Sequence, residues 1–364
     1  MLTKLHVARS ATEAQAILAQ DSTLASVADR AGRLALHLAA GSSDYDHVKV
    51  LLEAGADACA SSKQGKTPLH YAAAAGKSNI VGLLLSRKAD ANSADGTTFC
   101  SPLHYAAMFD HFETLVELVN AGKASVAQMD GSSRLALHHA CKAGNYEMVS
   151  FLLDAGSPID TPDASGNTPL HYAASSGSFQ CVRLLIQNGA NLTARSRNGC
   201  FPIHVAAGLG HLLALYEFLV SGVPVDVPSS NNSTALFYAA RGGQYDSVEL
   251  LARFGAEVTI ESAGAVTPLH EAARSGYVRI VRLLVAFGAN LTVEDETGQT
   301  PLHKVSLAPS LAVKYHATLV STTIATTTGC CQWSLCVCRV LTSQGATHGQ
   351  VQGPQPLLAD ATRR

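Results

Sequence analysis

Residues 60–70 read ASSKQGKTPLH, and the first eight of them, Ala60 to Thr67, match the loose form of a phosphate-binding loop: a small residue, four of any kind, then Gly-Lys-Thr. Such a loop cradles phosphates only when an apolar strand leads into it and a helix has already begun at the Lys-Thr pair. The alternative is a turn that ends one structural unit, followed by Thr67-Pro68-Leu69-His70 opening the next. The rest of the chain decides between the two.

TPLH at Thr67 returns as SPLH at Ser101, LALH at Leu135, TPLH at Thr168, FPIH at Phe201, TALF at Thr234, TPLH at Thr267 and TPLH at Thr300. LALH at Leu34 begins the series, and the spacing is 33 or 34 residues throughout. Units continue as H-x-A-A, carry Gly six residues after the His position (Gly76, Gly144, Gly177, Gly210, Gly243, Gly276), run on through stretches such as IVGLLL, CVRLLI and IVRLLV, and close on Gly-Ala. A fixed period of this length marks a repeat architecture.

Each element has a physical reason. Thr is able to cap a helix by accepting from a first-turn amide. Pro suits the first helical position, where a missing N–H removes no bond. The Ala pair permits close helix packing, and the mid-unit Gly and the closing Gly each stop a helix in the left-handed conformation. Gly or Asn two residues before the Thr position (Gly32, Gly65, Gly166, Gly199, Asn232, Gly298) suits a tight hairpin finger.

This pattern resembles the ankyrin-repeat family over roughly residues 32–303. The resemblance implies a mainly α solenoid, each unit a helix–turn–helix plus a β-hairpin finger, stacked so that neighbours share one core. The expected organisation is a degenerate N-terminal capping repeat at 1–31, eight repeats at 32–299, an incomplete ninth at 300–320, and a Thr- and Cys-containing, poorly ordered tail at 321–364. Lys88 in place of a closing Gly, Asp110 in place of a mid-unit Gly and Phe237 in place of the motif His suggest local loosening.

The opening stretch is therefore read as a finger: Gly65 the turn, Lys66 beside it, Thr67 the cap. The segment before it, VLLEAGADAC, reads as a helix end, and Pro68 disfavours helical geometry at Thr67. No nucleotide, metal or other cofactor is expected.

Composition narrows the function further. The chain has 364 residues, 15% charged and 47% hydrophobic, with net charge −2, which is not the strongly basic balance of a nucleic-acid protein. Nine cysteines, an odd number without a small-domain framework, suit reduced thiols in the cytoplasm or nucleus. Cys330, Cys331, Cys336 and Cys338 lack two separated C-x-x-C halves, so zinc is not expected. The charge-free stretch 317–338 is rich in Thr and interrupted by Gly329 and Gln332, so a membrane span is not expected.

His37, His70, His104, His138, His171, His204 and His270 share one repeat position, with His303 opening the ninth unit. The resemblance implies that they tie neighbouring units together. His138 and His139 are adjacent on a helix and diverge, so they cannot chelate as an i, i+4 pair would. No paired base and nucleophile emerges, and the protein is expected not to be an enzyme.

In the family, partners are contacted at fingertips and at the two residues before the mid-unit Gly. Those positions hold Arg30, Arg33, Lys63, Lys66, Arg134 and Arg197 on fingers and Lys142, Arg241 and Arg274 on first helices, against Glu296 alone. The imbalance points to a positive concave face for an acidic or phosphorylated protein segment. Ordinary solvated charges are the alternative. Phe109 adds an apolar anchor, whereas Tyr71, Tyr105, Tyr172 and Tyr238 are read as packing between first helices. The expected function is a non-catalytic scaffold or adaptor. The second reading is a regulatory ankyrin fragment of a larger membrane protein or multidomain enzyme.

Overall fold

The computed structural model describes residues 4–8, 10–42 and 44–306. The end of the incomplete ninth repeat after 306, the charge-free stretch 317–338 and the tail from 321 with its four clustered cysteines lie outside the described residues.

The Thr-Pro steps start helices where capping chemistry requires. Pro68–Ala74, Pro102–Met108, Pro169–Ser176, Pro202–Leu209 and Pro268–Arg274 each begin at the proline. The residue before each is extended, as at Thr67 with φ −92° and ψ 165°, so the chain enters from a finger and turns into the helix in one step. Among the described residues eight such first helices, from Ala35–Gly41 to Pro268–Arg274, are each followed by a second helix, from Tyr45–Glu53 to Val278–Ala286. Helices Lys4–Val7 and Ala11–Gln20 precede them, and Pro301–Ser306 follows.

The chain forms two compact units, divided between Ala194 and Arg195. Within each, first helices pack on first helices and second helices on second helices. The alanine pair makes this close approach feasible: Ala72, Ala73, Ala106 and Ala107 in the first unit, and Ala206, Ala207, Ala239 and Ala240 in the second, are fully buried. Every second helix places a large side chain in the core at one matched position. Leu51, Leu84, Leu118, Leu152 and Leu185 hold that position in the first unit, and Phe218, Leu251 and Leu284 in the second. Each such side chain adds about 1.5–3 kcal/mol by leaving water.

The fingers are shorter than hairpin strands. Among the described residues the only β pairing is an isolated bridge between Ser262 and Val266. Elsewhere one closing bond and one turn bond suffice: Ser62 N–H donates to Lys66 O at 2.9 Å and Gly65 N–H to Ser62 O at 2.8 Å. Each arm is too short to hold a second rung. Fingers instead bond to one another, Lys63 N–H to Ala31 O at 2.9 Å and Gly96 N–H to Gln64 O at 2.8 Å. That second contact explains Gly65, whose φ is +72° and whose Cβ would lie 2.4 Å from Gly96 N.

The same turn position has positive φ even without glycine, at Phe99 (54°), Ser133 (59°), Asn232 (55°) and Ala265 (55°). Lys88 (67°) and Asp110 (62°) do likewise at helix ends. The departures from the motif therefore do not loosen the backbone. They hold the glycine geometry at a cost of about 1–2 kcal/mol each. At Asp110 this is partly offset by Asn145, whose Nδ2 donates to its carboxylate at 2.7 Å.

Candidate partner-binding surface

The histidines are consumed by the scaffold. His70 Nδ1 accepts from Thr67 N–H at 3.0 Å and lies 2.9 Å from the Thr67 hydroxyl. On the other side Nε2 donates to Cys100 O of the next repeat at 3.1 Å. A carbonyl can only accept, so Nε2 carries the proton and Nδ1 is bare. His37 reaches Lys66 O at 3.1 Å, His104 reaches Arg134 O at 3.0 Å and His270 reaches Gln299 O at 3.0 Å. His6, far upstream, makes the same bond to Arg33 O at 2.8 Å.

Burial works against the charged imidazole, pushing His70, His104 and His138 down to about 4. They are neutral struts. The Thr-position hydroxyl has a second partner beside the expected amide: at Thr67, Ser101, Thr168 and Thr267 it meets the imidazole, and Thr267 also accepts from His270 N–H at 3.4 Å. Where Phe237 replaces the imidazole, Thr234 caps in the same way and accepts from Phe237 N–H at 3.4 Å.

A second set of residues builds the fingers from inside. Asp29, Asp95, Asp130, Asp163 and Asp295 stand at finger bases and accept turn amides, Asp29 from Ala31 at 2.8 Å and Arg33 at 2.9 Å. Burial opposes ionisation of Asp29, yet bonds from Arg33 and the amides prevail and bring it down to about 2. The tyrosines anchor the same aspartates. Tyr105 Oη donates to Asp95 at 2.6 Å and Tyr172 Oη to Asp163 at 2.7 Å. Each ring also meets the preceding histidine edge-on, His70 and Tyr105 with centroids 5.7 Å apart. The packing reading of Tyr105 and Tyr172 agrees with these contacts.

The nine basic residues divide on this framework. Arg33 lies 2.7 Å from Asp29, Arg134 2.9 Å from Asp130, and Arg274 2.7 Å from Glu271. Lys66 sits over the Tyr105 ring, 4.9 Å from its centroid. Three of the nine thus have carboxylate partners that stand outside the positions compared in the sequence. Arg30, Lys63 and Lys142 in the first unit, and Arg197 and Arg241 in the second, are exposed. Bonding between the fingers at Ala31 and Lys63 places Arg30 and Lys63 on neighbouring tips. Phe109 is 50% exposed and stacks on Tyr105 at 6.3 Å, so a packed ring backs this anchor.

The Gly-Lys-Thr stretch is a finger followed by a helix, and the helix before it is Tyr45–Glu53, with no strand between. Among thiols, Cys141 is fully buried and pushed well up by desolvation, which removes it as a nucleophile at neutral pH. Among the described residues no helix is long and apolar enough to cross a membrane.

Two features escaped the sequence reading. The finger-base aspartates were legible as Asp or Ser recurring five residues before the Thr position, or six in the case of Asp95. The helix Leu212–Val220, sequence LLALYEFLV, has an apolar outer face in addition to its buried one. Its near-total lack of polar residues was the signal.

A family model described as "Ankyrin repeats (3 copies)" matches residues 5–95, 103–196 and 190–262, and one described as "Ankyrin repeat" matches 266–296. The chain is 36% identical over 147 residues to human neurogenic locus notch homolog protein 2, covering 40% of this chain and 6% of that protein. It is 45% identical over 51 residues to human 26S proteasome non-ATPase regulatory subunit 10, covering 14% of this chain and 23% of that one. A crystal structure of the human ASB11 ankyrin repeat domain superposes with TM-score 0.54 at 31% identity, over 62% of this chain and 100% of that one. Repeats of this kind generally mediate protein–protein interactions and are typically non-catalytic. The chain belongs to the ankyrin-repeat family.

Proposed function

We propose that the protein is a non-catalytic scaffold or adaptor that holds an acidic or phosphorylated segment of a partner protein on its fingertips and first-helix ends. The observation carrying this reading is the exposure of Arg30, Lys63, Lys142, Arg197 and Arg241 at those positions, clear of the internal Asp–Arg pairs. Guanidinium and ammonium groups on a fixed framework bind carboxylate or phosphate by charge-assisted hydrogen bonds without first ordering a loop. The stacked Phe109–Tyr105 pair offers an apolar anchor in the first unit. The residues that resemble catalytic groups are occupied in holding repeats together, which supports a surface without chemistry of its own.

Titrating a phosphoserine-containing acidic peptide into the protein tests this. Affinity should fall roughly tenfold between about 50 and 300 mM salt, since exposed charges are screened over a Debye length. A lysine-rich peptide should not bind. Equal binding of both peptides, or an affinity flat with salt, would discard the acidic-partner reading.

A further inference from the structure

The outward side of second helices is polar in most repeats and apolar in one. At three matched outward positions the repeat containing Phe179–Gln187 has Gln180, Arg183 and Gln187, that containing Tyr146–Asp154 has Glu147, Ser150 and Asp154, and that containing Tyr245–Arg253 has Asp246, Glu249 and Arg253. Helix Leu212–Val220 has Leu213, Tyr216 and Val220 there, exposed by 59%, 45% and 51%. Leu212 adjoins them, and Phe254 meets the Tyr216 ring edge-on at 6.0 Å. These are not core residues slightly uncovered: Ala214, Leu215 and Phe218 of the same helix fill the interior. The five side chains expose roughly 400 Å² of apolar surface, the size that on single-chain proteins is often functional.

We propose that this face pairs with the same face of a second copy of the chain, forming a reversible antiparallel two-fold dimer. Charge selects this occupant. With a two-fold axis lying across the middle of helices Leu212–Val220 and Tyr245–Arg253, Leu213 meets the other copy's Val220, and Tyr216 lies near its own counterpart. On the neighbouring helix the same operation sets Asp246 against the other copy's Arg253, so opposite charges flank the apolar strip. Glu249 keeps its own Arg253, 2.6 Å away. On these two helices the outward residues thus satisfy themselves under one symmetry operation, as an isologous contact must. Area sets the strength: about 800 Å² buried in total from these side chains lies below the standard size, which gives a weak dimer.

Sedimentation velocity on the full chain tests the pairing. The expected result is a monomer–dimer equilibrium with Kd on the order of 10–100 μM. The triple variant Leu213→Gln, Tyr216→Arg, Val220→Gln transplants the outward residues of helix Phe179–Gln187, which a repeat of this fold already accommodates. It should stay monomeric, weakening association more than tenfold, with an unchanged melting temperature. A Tyr216→Cys chain should give a disulfide-linked dimer under mild oxidation, above the level that the parent shows through its own nine cysteines. A parent chain that stays monomeric at the highest concentrations would overturn the proposal, leaving the strip to a different protein. Dimerisation of the triple variant with unaltered affinity would overturn it as well, by placing the contact elsewhere.

Discussion

His70 Nε2 donates to the carbonyl oxygen of Cys100, 3.1 Å away and thirty residues on, while its Nδ1 accepts from the amide that precedes its own helix. One side chain therefore satisfies a helix start in its own repeat and a finger end in the next. Both partners are buried backbone groups: the Thr67 amide is satisfied by the imidazole, and the Cys100 carbonyl accepts from it in addition to Asp95 N–H at 2.9 Å.

Replacing that imidazole by a ring of similar size separates bonding from packing. His70→Phe keeps the volume but strands the Thr67 N–H and leaves the Cys100 carbonyl with Asp95 N–H alone, and should destabilise by about 1–3 kcal/mol. The natural Phe237 shows that the position tolerates a phenyl ring, so Phe237→His should act oppositely, adding about 1 kcal/mol. Urea unfolding followed by circular dichroism measures both.

Acid sensitivity follows from the same residues. The folded protein keeps His70, His104 and His138 neutral down to about pH 4, whereas unfolded histidines protonate near pH 6.5. Between those values the unfolded chain binds protons that the folded chain refuses, so stability falls as pH falls. The loss is about 2 kcal/mol per histidine by pH 5. It levels off below about pH 4, where the carboxylates take over, Asp29 losing its contribution as pH drops toward about 2. Urea midpoints at a series of pH values check this, and a midpoint unchanged from about pH 7 to 5 would contradict it.

Glycine should be better than the native residue where the backbone is left-handed without need. The closing glycines equivalent to Lys88, such as Gly55 and Gly156, would have nothing within 4 Å of an added Cβ. The side chain at Lys88 therefore bears only the backbone penalty of φ +67°. Lys88→Gly and Ala265→Gly should each stabilise by about 0.5–1 kcal/mol, the relief of αL strain exceeding the entropy lost by glycine. Thermal melts decide it.

Charge reversal separates binding cations from structural ones. Lys63→Glu and Lys142→Glu should weaken an acidic peptide by roughly three- to tenfold each and leave the melting temperature within a degree or so. Arg134→Glu should instead lower the melting temperature, because it sets a second carboxylate beside Asp130 and breaks a 2.9 Å pair. Identical effects from all three would remove the distinction.

Helix starts, helix ends and the finger turn were legible in the sequence because each depends on local chemistry: Pro at the first helical position, a left-handed residue after the last. The histidine position was legible through its periodicity, and its role through the resemblance. The charge state of the surface was not. Arg33, Arg134 and Arg274 look like fingertip and groove cations in the sequence, yet their partners Asp29, Asp130 and Glu271 are three or four residues away. Which side of a four-residue turn a guanidinium folds toward is a three-dimensional matter. Leu213, Tyr216 and Val220 were hidden for a different reason: in a helix of nine residues with one charged side chain, periodicity cannot distinguish an inner from an outer apolar face.

The scaffold role of the histidines is open to one direct observation. Two-dimensional ¹⁵N–¹H spectra that correlate imidazole nitrogens with ring protons report protonation and tautomer residue by residue. At about pH 5.5, His70, His104 and His138 should each show a neutral ring with the proton on Nε2, their Nδ1 shifted as a bare acceptor. Imidazolium signals from these three at that pH, titrating near 6.5, would contradict the assignment and return them to the pool of residues free for chemistry.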